Sequence, residues 1–199
     1  MKYLLSFIPV VFYLSSISGQ SLSQQSAVAG FNISASVGIS GWNSDDLSGE
    51  LLSGISINIS PSYGFTDYLE GFFAFEYAPS VSSGNDFVDS YPSSQLEGGV
   101  RMNFGSTLSK FRPFLQVSAS QHGISFIDFD GFSNDLSGYF IGFGGGVKYF
   151  LQPNLAIKAK AHADFGTYDN VKYGGVSVTD VEFDVNTVRI NLGVTYVFE

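Results

Sequence analysis

Two histidines, His122 and His162, are the residues of this chain best suited to acid–base chemistry. Asp164 follows His162 at a spacing of two, which places both side chains on one face of a β-strand. Three serines lie near His122 in the sequence: Ser118, Ser120 and Ser125. A lipid hydrolase or acyltransferase would need such a set, because an activated serine requires a histidine base beside an acid. Serine is abundant in this chain, so we predict that both histidines only fill the interior and that the protein is not an enzyme.

Charged side chains recur at alternate positions inside otherwise polar stretches of the sequence. Successive side chains of a β-strand point to opposite faces, so these charges are expected to share one face of neighbouring strands. Four acids face five fixed cations and one histidine, which makes the set nearly neutral. We predict a paired internal network, because buried charges must be paired. Its members are Glu70, Glu76, Glu97, Arg101, Lys148, Lys158, Lys160, His162, Asp164 and Arg189.

The elements that must position these charges are strands, and the end of the chain shows the pattern most clearly. From Val188 to Phe198 every even position is apolar, and the odd positions are polar or small except Val197. Seven earlier segments alternate in the same way, and each is close to the roughly 9–11 residues that cross a bilayer as a tilted strand. The eight predicted strands are Gly30–Trp42, Gly54–Tyr63, Tyr68–Tyr77, Ser94–Phe104, Arg112–His122, Tyr139–Leu151, Leu155–Phe165 and Asp184–Glu199.

The connections between these segments alternate between short and long. The short ones are Gly64–Asp67, Gly105–Phe111 and Gln152–Asn154. The long ones are Asn43–Ser53, Ala78–Ser93, Gly123–Gly138 and Gly166–Phe183. Short turns at one end and long loops at the other are typical of an outer-membrane barrel. A soluble sandwich has no reason to sort its connections in this way.

The composition of the polar face indicates whether that face lines the interior of the barrel or covers its outer surface. A soluble barrel would have Lys and Glu in quantity on that face, whereas here it holds mostly Ser, Asn, Gly and Gln. Small polar residues suit a narrow interior, so the sequence predicts an all-β, eight-stranded antiparallel up-and-down transmembrane β-barrel with its polar face inside. Aromatic residues near the strand ends are expected to form the interfacial girdles: Trp42, Tyr63, Tyr68, Tyr77, Phe104, Phe111, Tyr139, Tyr149, Tyr196 and Phe198.

The first residues have the pattern of a secretory signal peptide. Lys2 is followed by the apolar stretch Tyr3–Leu14 and then by small residues up to Gly19. We predict a signal peptide over 1–19, a short periplasmic segment over 20–28 and the barrel over 29–199. Cleavage would leave 8 basic and 18 acidic residues, which makes nucleic acid an unsuitable partner. The absence of cysteine excludes disulfides and thiolate metal sites.

The long loops are strongly acidic, and their one base is Lys172. The acids are Asp45, Asp46, Glu50, Asp86, Asp89, Asp128, Asp130, Asp135, Asp169, Asp180, Glu182 and Asp184. They could form a merely solvated surface, contact lipopolysaccharide through bridging cations, or dock a host or surface protein. Their spacing does not match a calcium-binding loop, so we predict no metal and no cofactor.

Three short turns resemble those of a known family: Tyr63–Leu69, Phe111–Phe114 and Tyr149–Ala156. The family is that of small eight-stranded outer-membrane barrels of the OmpA/OmpX type, in the version common in Bacteroidetes-like bacteria. The resemblance implies location in the outer membrane. It also implies that the terminal aromatics Tyr196 and Phe198 are the signal read by the outer-membrane assembly machinery. Family members usually end on the aromatic itself, whereas here Glu199 follows it.

An eight-stranded barrel is just wide enough to be filled by its own side chains, so we predict no open pore. The expected role is structural or surface contact: envelope integrity, adhesion or host contact through acidic extracellular loops. Outer-membrane lipid and lipopolysaccharide are the expected surroundings. Two alternatives stay open at this point, a lipid-modifying enzyme and a narrow ion channel.

Overall fold

The computed structural model describes residues 25–43, 52–83, 91–127, 133–173, 176–178 and 182–198. None of them forms a helix, so no helix long and apolar enough to cross a membrane is found among them. The strands are β1 (Gly30–Asn43), β2 (Leu52–Gly64), β3 (Leu69–Ser83), β4 (Tyr91–Asn103), β5 (Phe111–Ile127), β6 (Ser133–Gln152), β7 (Leu155–Tyr173), β8 (Val176–Val178) and β9 (Phe183–Val197). The predicted signal peptide, most of the predicted loop acids and Glu199 lie outside the described residues.

Eight of these strands close into a barrel, which confirms the predicted fold. Each strand from β1 to β7 pairs antiparallel with the next one along the chain. The last long strand, β9, pairs with β7 on one side and with β1 on the other. The seam runs from Asn32 opposite Val197 to Asn43 opposite Asn186. The short strand β8 adds only to the far end of β7.

The predicted loops Gly123–Gly138 and Gly166–Phe183 are wrong in extent. The β5–β6 ladder continues until Ile127 lies opposite Ser133, and β7 continues to Tyr173. Main-chain hydrogen bonds hold a hairpin together without any alternation of apolar and polar side chains, so the sequence pattern ends before the strands do. The barrel therefore rises well beyond its apolar band at the loop end, the end that holds the long connections. The short connections lie at the opposite turn end.

The apolar side chains of the barrel point outward, as the sequence predicts. Phe73 is 68% exposed, whereas Glu70 and Glu76 on the same strand are buried. The same contrast occurs on β9, where Leu192 is 59% exposed and Arg189 is buried. Soluble proteins distribute these residue types in the opposite way. A lipid bilayer is the medium that matches such a surface, so this is a transmembrane barrel.

Replacing Leu192 with arginine tests this orientation. Leu192 lies near the middle of the apolar band on β9, where a lipid-facing arginine costs about 2–4 kcal/mol. The free energy of unfolding, measured with urea in lipid vesicles, should fall by that amount. Leu108→Arg is the matched control, because Leu108 is 45% exposed in a turn outside the strands and should cost only about 0–1 kcal/mol. Equal losses in the two variants would contradict a lipid-facing β9.

Candidate functional site in the barrel lumen

The lumen of the barrel is filled by its own side chains. All ten residues of the predicted charge network are buried there. They form a lower cluster near the turn end, centred on Glu70, and a central cluster, centred on Arg189. Aromatic residues close the lumen above them, and the N-terminal segment closes it below. Within the described ranges, no group of three or more His, Asp or Glu side chains could hold a metal ion.

In the lower cluster, one carboxylate holds two cations. Glu70 accepts hydrogen bonds from Arg101 Nη1 at 2.7 Å and from Lys148 Nζ at 2.6 Å. Asn103 donates a third, at 3.2 Å. Two aromatic rings lie against the Arg101 guanidinium, Phe72 at 4.6 Å and Phe114 at 4.9 Å. The desolvated charges are therefore stabilised by ion pairs, hydrogen bonds and cation–π contacts together.

In the central cluster, one guanidinium holds three carboxylates. Arg189 Nη1 lies 3.3 Å from Glu76 and 3.2 Å from Glu97, and Arg189 Nη2 lies 2.7 Å from Asp164. Lys160 Nζ adds a longer ion pair to Glu97 at 3.9 Å. These acids come from β3, β4 and β7, so Arg189 on β9 ties distant strands together across the lumen.

Gln116 connects the two clusters. Its Oε1 accepts hydrogen bonds from Arg101 Nε at 3.2 Å and Nη2 at 3.1 Å. Its Nε2 donates to Glu97 Oε1 at 3.3 Å and lies 2.9 Å from His162 Nδ1. An amide can donate and accept at once, which is what a bridge between two charged groups requires. The sequence pattern places Gln116 on the inner face but does not reveal this role.

His162 contacts both a serine and an acid, but not as a catalytic triad does. Asp164 Oδ1 and Ser118 Oγ approach the same ring nitrogen, Nε2, at 3.0 Å and 3.4 Å. In a Ser–His–acid triad the acid binds one ring nitrogen and the nucleophile binds the other. Here the other nitrogen, Nδ1, faces Gln116. All of these side chains are buried in the lumen, away from the lipid face.

Glycines of β6 provide the space that His162 occupies. A Cβ atom on Gly142 would collide with His162 Nε2 and with Asp164 Oδ1, and one on Gly144 would collide with His162 Nδ1. Three inward positions of β6 therefore carry no side chain where β7 carries Asp164, His162 and Lys160. This explains why three of the inward residues of this strand are glycines, at 142, 144 and 146.

An aromatic cap closes the lumen at the loop end, around His122. Trp42 Nε1 donates to His122 Nε2 at 3.2 Å, and Ser93 Oγ lies 2.8 Å from the same nitrogen. Tyr168 Oη bonds the other nitrogen, Nδ1. Because the indole N–H can only donate, Nε2 is the acceptor and Nδ1 carries the proton. The Trp42 ring stacks on the imidazole at 5.7 Å, and the Phe140 ring meets it edge-on.

The prediction that Trp42 belongs to the interfacial girdle is wrong. Trp42 is 5% exposed and points into the lumen. The position of an aromatic near a strand end does not decide its face, whereas the alternation does: Trp42 has the same parity as the buried Ser34 and Ser40 on β1. Tyr168 falls inside the predicted loop Gly166–Phe183. It nevertheless continues the inward-facing series of His162 and Asp164 on β7.

The turn end is closed by Arg112 and the N-terminal segment. Arg112 Nε donates to the carbonyl of Phe104 at 3.0 Å, Nη1 donates to Ser26 Oγ at 3.2 Å, and Nη2 bonds the carbonyl of Asp67. The backbone N–H of Ser26 in turn bonds the carbonyl of Thr107 at 3.1 Å. A small apolar cluster seals the same end: Val28, Phe150, Ala156 and Val197. The predicted network omits Arg112, although its parity matches that of the inward-facing Gln116.

The two residues expected to form the assembly signal lie on the outer surface at the turn end. The Tyr196 and Phe198 side chains are both exposed, and their rings meet edge-on at 4.9 Å. The Phe198 ring also lies 5.4 Å from Phe31. Phe198 N donates to the carbonyl of Phe31 at 2.8 Å, which fixes the end of the chain to the start of β1.

No protein-family model matches the chain, and no curated protein matches it. Solved structures with a similar fold include Neisserial surface protein A, which is 18% identical with a TM-score of 0.66 over 85% of this chain and 98% of that one. Ail, the attachment invasion locus protein of Yersinia pestis, in complex with the heparin analogue sucrose octasulfate, is 18% identical with a TM-score of 0.54 over 84% and 98%. The outer membrane protein OprG from Pseudomonas aeruginosa is 13% identical with a TM-score of 0.54 over 87% and 98%.

At these identities the likeness concerns the fold. The chain has the fold of the small eight-stranded barrels of the bacterial outer membrane. Its apolar outer face and polar, filled lumen are the features by which such barrels fit into lipid. The chain is therefore an outer-membrane β-barrel.

Removing the central cation should destabilise the barrel severely. In an Arg189→Met variant three buried carboxylates lose their shared partner, and breaking a buried ion pair from one side costs about 3–5 kcal/mol. Urea unfolding in lipid vesicles measures this loss. Lys172→Met is the matched control, because Lys172 is exposed at the loop end and should change stability by less than about 0.5 kcal/mol. A loss for Arg189→Met as small as that of the control would contradict the role given to Arg189.

Proposed function

We propose that this chain is an integral outer-membrane protein whose role is structural or one of surface contact, with neither an open pore nor an active site. One observation carries the proposal: bonded side chains close both ends of the lumen, and the two charge clusters lie between them. The aromatic cap around His122 lies at one end, and the seal of Arg112 and Ser26 lies at the other. What the protein does is therefore done at its surfaces.

Neither alternative is favoured by an observation. A narrow ion channel would need a path through the Arg189 cluster, where a single guanidinium is shared by three carboxylates. A lipid-modifying enzyme would need a serine and an acid on opposite nitrogens of a histidine, within reach of lipid. Ser118 and Asp164 instead share one nitrogen of His162 inside the lumen.

The extracellular rim is the surface best suited to contacts. The long strands β5, β6 and β7 form part of this rim, and their main chains are paired there. Among the described residues, this rim has four exposed acids and one exposed base, Lys172. The acids are Asp135, Asp169, Glu182 and Asp184. Thr167 Oγ1 donates to Asp184 Oδ1 at 2.8 Å and so fixes one of these carboxylates.

The negative charge of this rim determines which partners it can attract. Ail was solved with a heparin analogue, sucrose octasulfate, which is strongly anionic. An acidic rim repels such a ligand, so we propose a different partner for this chain: lipopolysaccharide of the surrounding membrane, held by divalent cations between its phosphates and the rim carboxylates. We further propose a signal peptide over 1–19, insertion by the outer-membrane assembly machinery through Tyr196 and Phe198, and descent from the Bacteroidetes-type barrels.

Neutralising the rim should weaken the binding of lipopolysaccharide. In the triple variant Asp135→Asn, Asp169→Asn, Asp184→Asn the cation bridges lose their ligands. We expect the affinity of the purified barrel for lipopolysaccharide, measured by titration in detergent with Mg²⁺, to fall by about tenfold, or 1.4 kcal/mol. Chelation of Mg²⁺ should have the same effect on the natural sequence and no further effect on the variant.

Asp67→Asn is the matched control, because Asp67 lies in a turn at the periplasmic end and should leave the affinity unchanged. Binding that does not depend on Mg²⁺, or equal binding by the triple variant, would contradict the lipopolysaccharide contact. Retention of a basic surface protein by the natural sequence but not by the triple variant would assign the rim to a protein partner instead.

A further inference from the structure

The outer face of the barrel has a groove of about 630 Å³, lined by residues from β3 to β7. Its floor is made of small residues, since Gly98 on β4 lies opposite Ala119 on β5. Its walls are aromatic: Phe73 stands on the β3 side, and Tyr139 and Phe165 stand on the β6–β7 side. A Cβ atom on Gly98 would lie 3.3 Å from the Phe73 ring, so this ring leans over Gly98 and leaves the exposed Ala119 as the open floor. The volume falls within the roughly 300–1,000 Å³ of ligand-binding sites.

The groove lies where the apolar band of the outer face ends. On β5, Ala119 is the last apolar outward residue of the band, and the next outward position is the exposed Gln121. On β6, Tyr139 is the last outward aromatic before Ser137. Aromatic residues occupy this level of a membrane barrel, at the boundary between hydrocarbon and polar groups. The floor of the groove therefore faces acyl chains, and its upper end faces the polar part of the same leaflet.

Two exposed acids of the rim lie above this groove. Asp135 has the same parity as Tyr139 on β6 and is four residues beyond it, which is about 13 Å along a strand. Asp169 is two residues beyond Thr167, a lining residue on β7, and so lies about 7 Å above it. The surface thus offers carboxylates above and an apolar groove below. An amphipathic molecule whose charged end reaches the acids through cations would have its apolar end at the groove.

We propose that the groove binds one acyl chain of a lipopolysaccharide molecule. This inference rests on the proposed function and extends it from the phosphates of that lipid to its apolar part. A single acyl chain is slender and flexible, so it can reach Ala119 between the aromatic walls. At the upper end of the groove, the Gln121 amide and the Tyr139 hydroxyl can hydrogen-bond the polar groups at which the acyl chains are attached.

The shape and charge of this face disfavour a second copy of the barrel as the occupant. Phe73 and Tyr139 are each 68% exposed, so both rings project beyond the floor at Ala119. A second barrel would meet these rings before it reached the floor. A twofold dimer on this face would also bring Asp135 and Asp169 of the two copies together, and like charges repel. A lipid avoids both difficulties, because its chain fits between the rings and its charged end binds the acids through cations.

Filling the groove tests the proposal. In an Ala119→Phe variant the new ring takes the place of the acyl chain. We expect the affinity of the purified barrel for lipopolysaccharide, measured in detergent with Mg²⁺ by native mass spectrometry of one-to-one adducts, to fall by about tenfold, or 1.4 kcal/mol. Gln121→Leu should cause a smaller loss. Ala161→Phe is the matched control, because Ala161 is also exposed on the outer face but lies outside the groove, and it should leave the affinity unchanged.

A second probe, lipopolysaccharide stripped of its acyl chains, separates the groove from the rim. It keeps the phosphates, so it should bind Ala119→Phe and the natural sequence equally, and it should bind the natural sequence at least tenfold more weakly than the intact lipid does. The triple rim variant should lose affinity for both probes. Binding of the intact lipid that is independent of Mg²⁺ yet reduced in Ala119→Phe would contradict the rim contact and support the groove.

Three results would overturn the acyl-chain site. The first is equal affinity of Ala119→Phe and Ala161→Phe for the intact lipid, which would leave the rim contact unaffected. The second is an equal loss of affinity for the intact and the stripped probe in Ala119→Phe. The third is a change from dimer to monomer in Ala119→Phe with no change in lipid binding, which would assign the groove to a second copy of the chain.

Discussion

Closure of the sheet between β1 and β9 is the constraint on which the rest of the structure depends. In lipid an unpaired strand edge would leave N–H and C=O groups without partners, so a spanning sheet must close on itself. The ladder from Asn32–Val197 to Asn43–Asn186 removes that edge. Once the sheet is closed, the period of two assigns every side chain to lipid or to lumen. The apolar set of β9 meets lipid for this reason, and Arg189 meets the lumen.

Closure of the sheet also determines the size of the interior and how its polar side chains must be bonded. Eight strands enclose a space that side chains can fill, so the polar residues sent inward must satisfy one another. They do so through a few shared groups: Glu70 holds two cations, Arg189 holds three carboxylates, and Gln116 joins the two sets. Because the interior is occupied in this way, the surfaces left for contacts are the lipid belt and the rim at the loop end.

Much of the fold could be predicted from the sequence, because alternation is a local property that each strand carries by itself. The eight strands, their order and the inward direction of all ten charged residues follow from it. The length of the strands at the loop end does not, because main-chain pairing between β5 and β6 leaves no mark in side-chain polarity. Alternation also does not predict which side chains contact one another inside the lumen. Which carboxylate meets Arg189, or that Trp42 stacks on His122, depends on strand tilt across the barrel.

The orientation of the two faces is the central claim, and Trp42 reports on it directly because it is the single tryptophan of the chain. The decisive measurement is its fluorescence in bilayers of lipid brominated on the acyl chains, compared with a Trp42→Phe, Leu192→Trp variant. The lumen-facing Trp42 should keep its emission, whereas tryptophan at position 192 should be strongly quenched. Equal quenching of the two proteins would contradict the assignment of the polar face to the lumen.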